Sequence, residues 1–246
     1  MIRRLMLACL IGLAPLAGFA HAQTVDEIVA RHIEARGSAA QWQAVRTLRM
    51  TGRAMAGPGR EALITREIKQ PGRVRTEFTF QGITGVFAFD GKRGWQISPL
   101  TGVIEPRLMP AGEALLAVEQ ADLDGPLVAA RRHGAALVLV GRETIAGRET
   151  FRIRVTPKSG PPQEHYLDGE TFLILRSDTN RSVGGRNVAV ETAFSDYRSV
   201  GGLVFPHTIE MGAANRPDRL RIVVETIELN PTINDSRFKV PSGTRK

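Results

Sequence analysis

Residue types that can carry catalysis are few in this chain, and they do not stand in a recognised catalytic spacing. Beyond residue 22 the histidines are His32, His133, His165 and His207. None of them belongs to a helical His-Glu-x-x-His pair, the spacing that places two zinc ligands on one helix face. The histidines therefore do not predict a metal centre.

One short stretch brings acidic residues next to a histidine. Glu164 and His165 are followed by Asp168, and a carboxylate–imidazole group of this kind could ligate a metal. The same residues also fit a strand that ends in an Asp-Gly turn. We favour the turn, because metal ligands normally occur in recognisable spacings.

Nucleophilic and phosphate-binding motifs are also missing from the sequence. Ser195 is not in a Gly-x-Ser-x-Gly elbow. The glycine pairs Gly184–Gly185 and Gly201–Gly202 lie between strand patterns and predict hairpin turns rather than phosphate cradles. Asp122 and Asp124 flank a helix break, which they would cap or solvate. We therefore expect a binding protein and no enzyme, with no catalytic residues, no metal and no cofactor.

The charge of the chain is basic without a nucleic-acid pattern. Its 246 residues carry a formal net charge of +8. Arginines alternate with apolar residues in strand-like segments such as Arg152–Val155, which is typical of the solvated face of a sheet. No basic run is interleaved with aromatic residues for base stacking. We expect no nucleic-acid partner, and attraction to anionic lipid surfaces is the functional interpretation of the charge.

The N-terminus has the three parts of a secretory signal peptide. Arg3 and Arg4 precede an apolar run from Leu5 to Phe19, and Ala20–Ala22 supplies small residues for cleavage. We expect cleavage after residue 22, so that the mature chain starts at Gln23. The leader is of a bacterial type and predicts export to the periplasm.

The cysteine content limits how the mature chain can be anchored. Its only cysteine, Cys9, lies inside the predicted leader. A mature chain without cysteine has no disulfide, no thiolate chemistry and no lipid-attachment site. We expect residues 23–246 to form one soluble exported domain that is not lipid-anchored.

Helical spacing is confined to two places. Apolar residues recur on one face from Thr24 to Ala35, where Thr24 is the predicted N-cap and Glu27 completes a capping box. A shorter helical piece follows from Ala39 to Ala44. The second place is an insert, Pro110–Leu123, with small apolar residues on one face, and helical spacing resumes briefly from Leu127 to Arg132.

Short alternating segments separated by Gly and Pro turns make up the rest of the chain. The first runs from Val45 to Met55 and the last from Arg219 to Leu229. Their short connections predict an antiparallel meander, and a sheet with so many strands must curl. The predicted fold is mainly β: a single curved antiparallel half-barrel of about eleven strands, with helices covering its concave face.

Several short motifs resemble the LolA-like outer-membrane lipoprotein-sorting family, in the family's order. They are the turn Lys69-Gln70-Pro71-Gly72, the hairpin Phe89-Asp90-Gly91-Lys92-Arg93-Gly94-Trp95, the segments Phe194-Ser195-Asp196-Tyr197-Arg198 and Gly201-Gly202-Leu203-Val204-Phe205-Pro206, and the terminal Phe238-Lys239-Val240-Pro241-Ser242-Gly243. The resemblance extends over essentially the whole mature chain. It implies an open half-barrel whose apolar concave face takes acyl chains under a helical lid.

This sequence differs from the family at one position. The family places an arginine directly before the turn proline, where it helps to hold the lid closed, whereas this chain has Gln70 there. The family's latch residue is therefore missing. The resemblance leaves the cargo open between a lipoprotein and another lipid.

The predicted binding residues lie on neighbouring strands and on the insert. They are Phe78, Phe80, Phe87, Phe89, Trp95, Ile97, Leu115, Leu116 and Val118. They form either a simple core between sheet and helix or a surface that opens to admit lipid tails. The predicted function is a periplasmic carrier or chaperone for lipoproteins or other lipids, monomeric and in transient contact with envelope membrane proteins. The alternatives are a module that senses envelope lipids or lipoproteins in a regulatory complex, and an enzyme on an apolar substrate.

Overall fold

The computed structural model describes residues 23–158, 160–183 and 186–244. The predicted signal peptide, residues 1–22, lies outside the described residues, as do the paired glycines at 184 and 185. Within the described ranges, no helix is both long and apolar enough to cross a membrane.

Thirteen strands form one sheet. They are β1 (Thr47–Met55), β2 (Glu61–Lys69), β3 (Arg73–Phe80), β4 (Ile83–Phe89), β5 (Gly94–Ser98), β6 (Val103–Leu108), β7 (Ala136–Ile145), β8 (Arg148–Thr156), β9 (Gln163–Asp168), β10 (Ile174–Val183), β11 (Arg186–Val200), β12 (Leu203–Ala213) and β13 (Leu220–Leu229). Their order in the sheet is β6-β5-β4-β3-β2-β1-β13-β12-β11-β10-β9-β8-β7, with antiparallel neighbours throughout. The first and last strands therefore pair in the middle, and β6 and β7 are open edges.

In the described part of the chain, four α-helices accompany the sheet. They are α1 (Val25–Ala35), α2 (Ala39–Gln43), α3 (Ala111–Gln120) and α4 (Pro126–Arg132). The capping box predicted for α1 is confirmed, because the Thr24 hydroxyl accepts a hydrogen bond from the Glu27 amide at 3.2 Å and the Glu27 carboxylate accepts one from the Thr24 amide at 2.8 Å. One-turn 3-10 helices occupy Pro99–Thr101 and Asp235–Arg237.

The predicted half-barrel is confirmed, and the predicted count of about eleven strands was too low. β6 is not among the predicted strands. Its sequence contains Pro106, which cannot donate a ladder hydrogen bond and normally argues against a strand. An edge strand tolerates proline, because one side of its backbone has no neighbour.

Contacts of a single helix show how strongly the sheet curls. Both β5 and β10 contact α3, although these strands stand eight positions apart in the sheet order. At about 4.8 Å per strand they would be about 38 Å apart in a flat sheet, whereas a helix of this length spans only about 15 Å. The sheet therefore curves around α3, and the face that carries this helix is the concave one.

Helices cover two regions of the concave face. Over one wing, α1 and α4 pack through Ile28, Val29 and Leu127 onto the β8 residues Phe151 and Ile153. Over the other wing, side chains from α2 and from α3 to Leu123 close a second cluster. Its buried members are Trp42, Val45, Leu48, Ile68, Val74, Ala117, Ala121, Leu123, Leu203 and Phe205. The predicted packing of helices over the concave side is confirmed.

A C-terminal strap, residues 233–240, covers part of the convex face. Phe238 is buried there, and its carbonyl accepts a hydrogen bond from the Trp95 indole at 2.9 Å. The Arg75 guanidinium lies over the Trp95 ring, 5.4 Å from its centroid. Arg237 of the strap ion-pairs with Glu67 of β2 at 2.8 Å. The convex-face residues Val86, Ala88 and Trp95 are therefore enclosed by the strap rather than by the helices.

Candidate binding site on the concave face

Side chains of the concave face form rows across the strands, because directly opposed residues of an antiparallel pair point to the same face. Across β1, β2, β3 and β4, the upper row is Leu48, Ile68, Val74 and Phe89. The middle row is Met50, Arg66, Thr76 and Phe87. The lower row is Gly52, Ile64, Phe78 and Gly85. The upper row lies in the cluster that includes α3 residues.

The register places the four predicted phenylalanines on this concave face. Phe87 and Phe89 belong to the middle and upper rows, Phe78 belongs to the lower row, and Phe80 lies one row further along β3. The rings of Phe78 and Phe87 meet edge to face, with centroids 6.2 Å apart and planes at 81°. All four side chains are half-buried. A binding role for them stays a prediction.

Trp95 and Ile97 lie on the opposite face, so the predicted set does not form one surface. Opposite Trp95 in the ladder is Ala88, and opposite Ile97 is Val86. These residues pack under the C-terminal strap. The sequence could not show this, because β4 has apolar residues on both faces and therefore sets no register for its neighbour.

The three predicted residues of the insert are not on its buried side. Leu115, Leu116 and Val118 are 43%, 41% and 42% exposed, whereas Ala117 of the same helix is 8% exposed. The helix packs on the sheet through small side chains, and the reason is visible at Gly94 of β5. A Cβ atom there would lie 3.1 Å from the Cβ of Ala114, so the missing side chain lets α3 approach.

Polar side chains hold α3 to both wings of the sheet. On the near wing, the Gln96 amide donates to the Glu113 carboxylate at 3.1 Å. On the far wing, the Glu119 carboxylate accepts from Gln163 of β9 at 3.0 Å and ion-pairs with Arg181 of β10 at 2.6 Å. We call Glu119, Gln163 and Arg181 the clasp. Residues of β5, β9 and β10 thus hold α3 to both wings of the sheet.

A separate apolar cluster on the concave face is built from strands alone. Its buried members are Ala54, Ile64, Ile222 and Val224, and its half-buried members are Met50, Phe78, Ile209, Met211, Leu220 and Ile227. We call it the open cluster, because among the described residues it includes none from a helix. It begins in the middle row and runs away from α3 toward the hairpin ends. There a groove of about 590 Å³ opens between Phe80, Met55 and Arg219.

One charged side chain stands among these apolar residues. Arg66 of β2 occupies the middle row, between Ile64 and Ile68 along the strand. Its Nε donates to the Thr76 hydroxyl at 3.3 Å. Burial lowers the pKa of its guanidinium to about 10. Arg66 is not among the predicted site residues, although the alternation of Ala62, Ile64 and Ile68 places it on the apolar side of β2.

The residues first considered for metal chemistry do not converge. His165 Nδ1 lies 2.8 Å from the Ser177 hydroxyl in the protein interior, and Glu164 ion-pairs with Arg154 at 2.7 Å. The carboxylate of Asp168 accepts hydrogen bonds from the amide of Thr171 at 2.7 Å, as expected for an Asp-Gly turn. In the part of the chain that the structure describes, no group of three or more His, Cys, Asp or Glu side chains is arranged to hold a metal ion.

The two aspartates at the helix break are also bound within the chain. Asp122 and Asp124 both ion-pair with Arg132 of α4. The Asp122 carboxylate also accepts from the Asp124 amide at 3.0 Å. These acids therefore stabilise the connection between α3 and α4.

No protein-family model matches the chain, and no curated protein sequence matches it. Solved structures of the same architecture do match. A LolA superfamily protein from Nitrosomonas europaea is 15% identical with a TM-score of 0.58, over 89% of this chain and 98% of that one. A putative outer membrane lipoprotein-sorting protein domain from Vibrio parahaemolyticus is 12% identical with a TM-score of 0.58, over 86% and 94%. A DUF1329 family protein from Desulfovibrio piger is 13% identical with a TM-score of 0.61, over 89% and 98%. The chain therefore has the fold of the LolA superfamily structures.

Proposed function

We propose that this protein carries a lipoprotein or another lipid through the periplasm by binding its acyl chains on the concave face. The open cluster is the observation that supports this most directly. Its apolar side chains line a curved face that the helices leave free, next to a groove that opens at the hairpin ends. A concave surface lined mainly by apolar side chains is the usual form of a site for an apolar guest.

The free energy of burying one acyl chain on the open cluster is consistent with reversible binding. Each buried methylene contributes about 0.8 kcal/mol, so a tail that buries about ten of them gains about 8 kcal/mol. Association costs roughly 4 kcal/mol or more in lost motional freedom. The difference gives weak to moderate affinity for one chain, which suits a carrier that must release its cargo.

Two further observations support a periplasmic role. The leader at residues 1–22 has the composition of a signal peptide. One structure of the same fold is described as an outer membrane lipoprotein-sorting protein domain. We propose a monomer that takes cargo from one envelope membrane protein and passes it to another, without catalysing a reaction.

Two matched substitutions test the open cluster. Phe78 and Leu63 are both apolar residues of neighbouring strands, but Phe78 faces the open cluster whereas Leu63 lies one residue away from Ile64, on the other face, and is 60% exposed. Phe78→Glu should abolish binding of a fluorescent fatty acid to the purified mature protein, because a carboxylate would sit where the tail lies. Leu63→Glu should bind like the wild type. Leu116→Glu, assayed in parallel, tests the predicted contribution of α3.

Native mass spectrometry of the wild type gives an independent result. Protein purified without harsh detergent washing should carry endogenous lipid or lipoprotein. An apo mass, together with no uptake of acyl ligands on titration, would exclude a carrier. Equal binding by Phe78→Glu and wild type, in a variant with an unchanged circular dichroism spectrum, would move the site away from the open cluster.

A further inference from the structure

Among the described residues Arg66 has no acidic partner, unlike arginines of the neighbouring strands β1 and β3. On the convex face of β1 and β3, Arg49 pairs with Glu67 at 3.2 Å and Arg75 pairs with Glu77 at 2.7 Å. Arg66 faces the other way, and its only hydrogen bond within the described residues is the one to Thr76. The concave face thus holds a guanidinium whose charge no carboxylate of the described residues neutralises.

The unused hydrogen-bonding capacity of Arg66 has a definite chemistry. A guanidinium carries five N–H donors in a planar fork, and the Thr76 hydroxyl occupies one of them. The remaining donors match the two oxygens of a carboxylate or phosphate. Such an anion would also restore charge balance at a half-buried site, where an unpaired cation is unfavourable.

The position of Arg66 relates it to the open cluster. The middle row separates the upper row, covered by α3, from the lower row, which belongs to the open cluster. Ala62 is the concave-face residue of β2 that lies nearest to the hairpin end. The distance from Arg66 to Ala62 along the strand is about 13 Å. A head group at Arg66 would therefore leave its tail on the apolar surface that runs to the groove at the hairpin ends.

We infer that Arg66 and Thr76 form a head-group site for an anionic amphiphile, whose carboxylate or phosphate pairs with the guanidinium while its acyl chain lies along the open cluster. This inference rests on the proposed acyl-chain binding and adds the charge of the cargo. It favours acidic lipids over neutral ones of the same chain length.

Three ligands that share a twelve-carbon chain and differ in head group distinguish the contribution of the head group from that of the tail. Dodecanoate, dodecyl phosphate and dodecanol are titrated against the full mature protein by displacement of a fluorescent apolar probe. The wild type should bind both anions at least about tenfold more tightly than dodecanol. Arg66→Gln, which can still bond Thr76, should reduce the two anions to the affinity of dodecanol and leave dodecanol unchanged. Arg93→Gln, at an exposed position of the β4–β5 turn, removes the same charge and should bind like the wild type.

Each outcome decides one of the two proposals. Equal wild-type affinity for all three ligands would overturn the head-group site and leave acyl-chain binding standing. No binding of any ligand would overturn acyl-chain binding itself. An equal loss for anions and dodecanol in Arg66→Gln, with an unchanged circular dichroism spectrum, would make Arg66 a structural residue. A preference confined to dodecanoate or to dodecyl phosphate identifies the cargo head group as a carboxylate or a phosphate.

Discussion

The clasp should control how often α3 leaves the concave face. Glu119 is 32% exposed and Arg181 is 20% exposed at their 2.6 Å contact, so their ion pair is worth about 1 kcal/mol. The hydrogen bond from Gln163 adds about 1 kcal/mol more. Glu119→Ala removes both and should raise the open-to-closed ratio of the helix about 30-fold. Glu119→Gln keeps a group that can bond Gln163 and should raise the ratio about fivefold.

Hydrogen exchange of the α3 backbone amides measures this ratio directly, since these amides exchange when the helix detaches. Protection of amides such as that of Ala121, which bonds the Ala117 carbonyl at 3.0 Å, should fall by those factors. The control is Glu225→Ala, which removes a convex-face partner of Arg53 held at 2.8 Å. Its α3 protection should equal that of the wild type.

Two results would refute the clasp. Unchanged α3 protection in Glu119→Ala would mean that the small-residue packing alone holds the helix. If protection in Glu119→Ala fell equally in α3 and in strands β1 and β13, the substitution would have destabilised the whole protein instead of detaching the helix. The double exchange Glu119→Arg with Arg181→Glu should recover most of the protection lost in Glu119→Arg, because it restores the ion pair with reversed charges.

Two further predictions concern stability. Gly94→Val should lower the melting temperature in thermal unfolding and weaken α3 protection, because a Cβ there would lie 3.0 Å from the Met109 sulfur and 3.1 Å from the Ala114 Cβ; Gly85→Ala, whose Cβ would have no neighbour nearer than a backbone oxygen at 3.4 Å, is the control. Burial lowers the pKa of His32 to about 3 and of His165 to about 4. Below pH 6.5 the unfolded chain binds protons at both histidines while the folded chain binds neither, so stability should fall by up to about 2.7 kcal/mol per pH unit as pH drops toward about 4. Urea unfolding at several pH values measures that slope; His165→Gln should reduce it by about half, and an unchanged slope would show that other groups cause it.

Much of the fold could be predicted because local signals agree with the final structure. The first and last predicted segments, Val45–Met55 and Arg219–Leu229, agree with β1 and β13 to within two residues at each end. The capping box at Thr24 fixed the start of α1 in the same way. Each of these signals acts between neighbours in sequence, so no knowledge of tertiary packing is needed to interpret it.

The candidate site was less predictable because it depends on register and on charge balance between distant elements. Trp95 is a large aromatic residue of the kind found in apolar binding sites. Its pairing with Ala88 nevertheless places it on the convex face, where it contacts the strap. Large residues of α3 were expected to face the sheet, whereas Gly94 and Ala114 make a close small-residue contact instead. The sequence places Arg66 on the apolar side of β2. Only the structure shows that it contacts no carboxylate of the described residues.

Polar groups on the concave face have two separate tasks. Gln96, Gln163 and Arg181 bind carboxylates of α3 and so position the lid. Arg66 binds neither α3 nor any described carboxylate, and it lies where the lid ends and the open cluster begins. Closing the lid therefore does not neutralise Arg66. In the proposed carrier an anion that arrives with the cargo does so at Arg66, so selection of the cargo by charge and attachment of α3 depend on different residues.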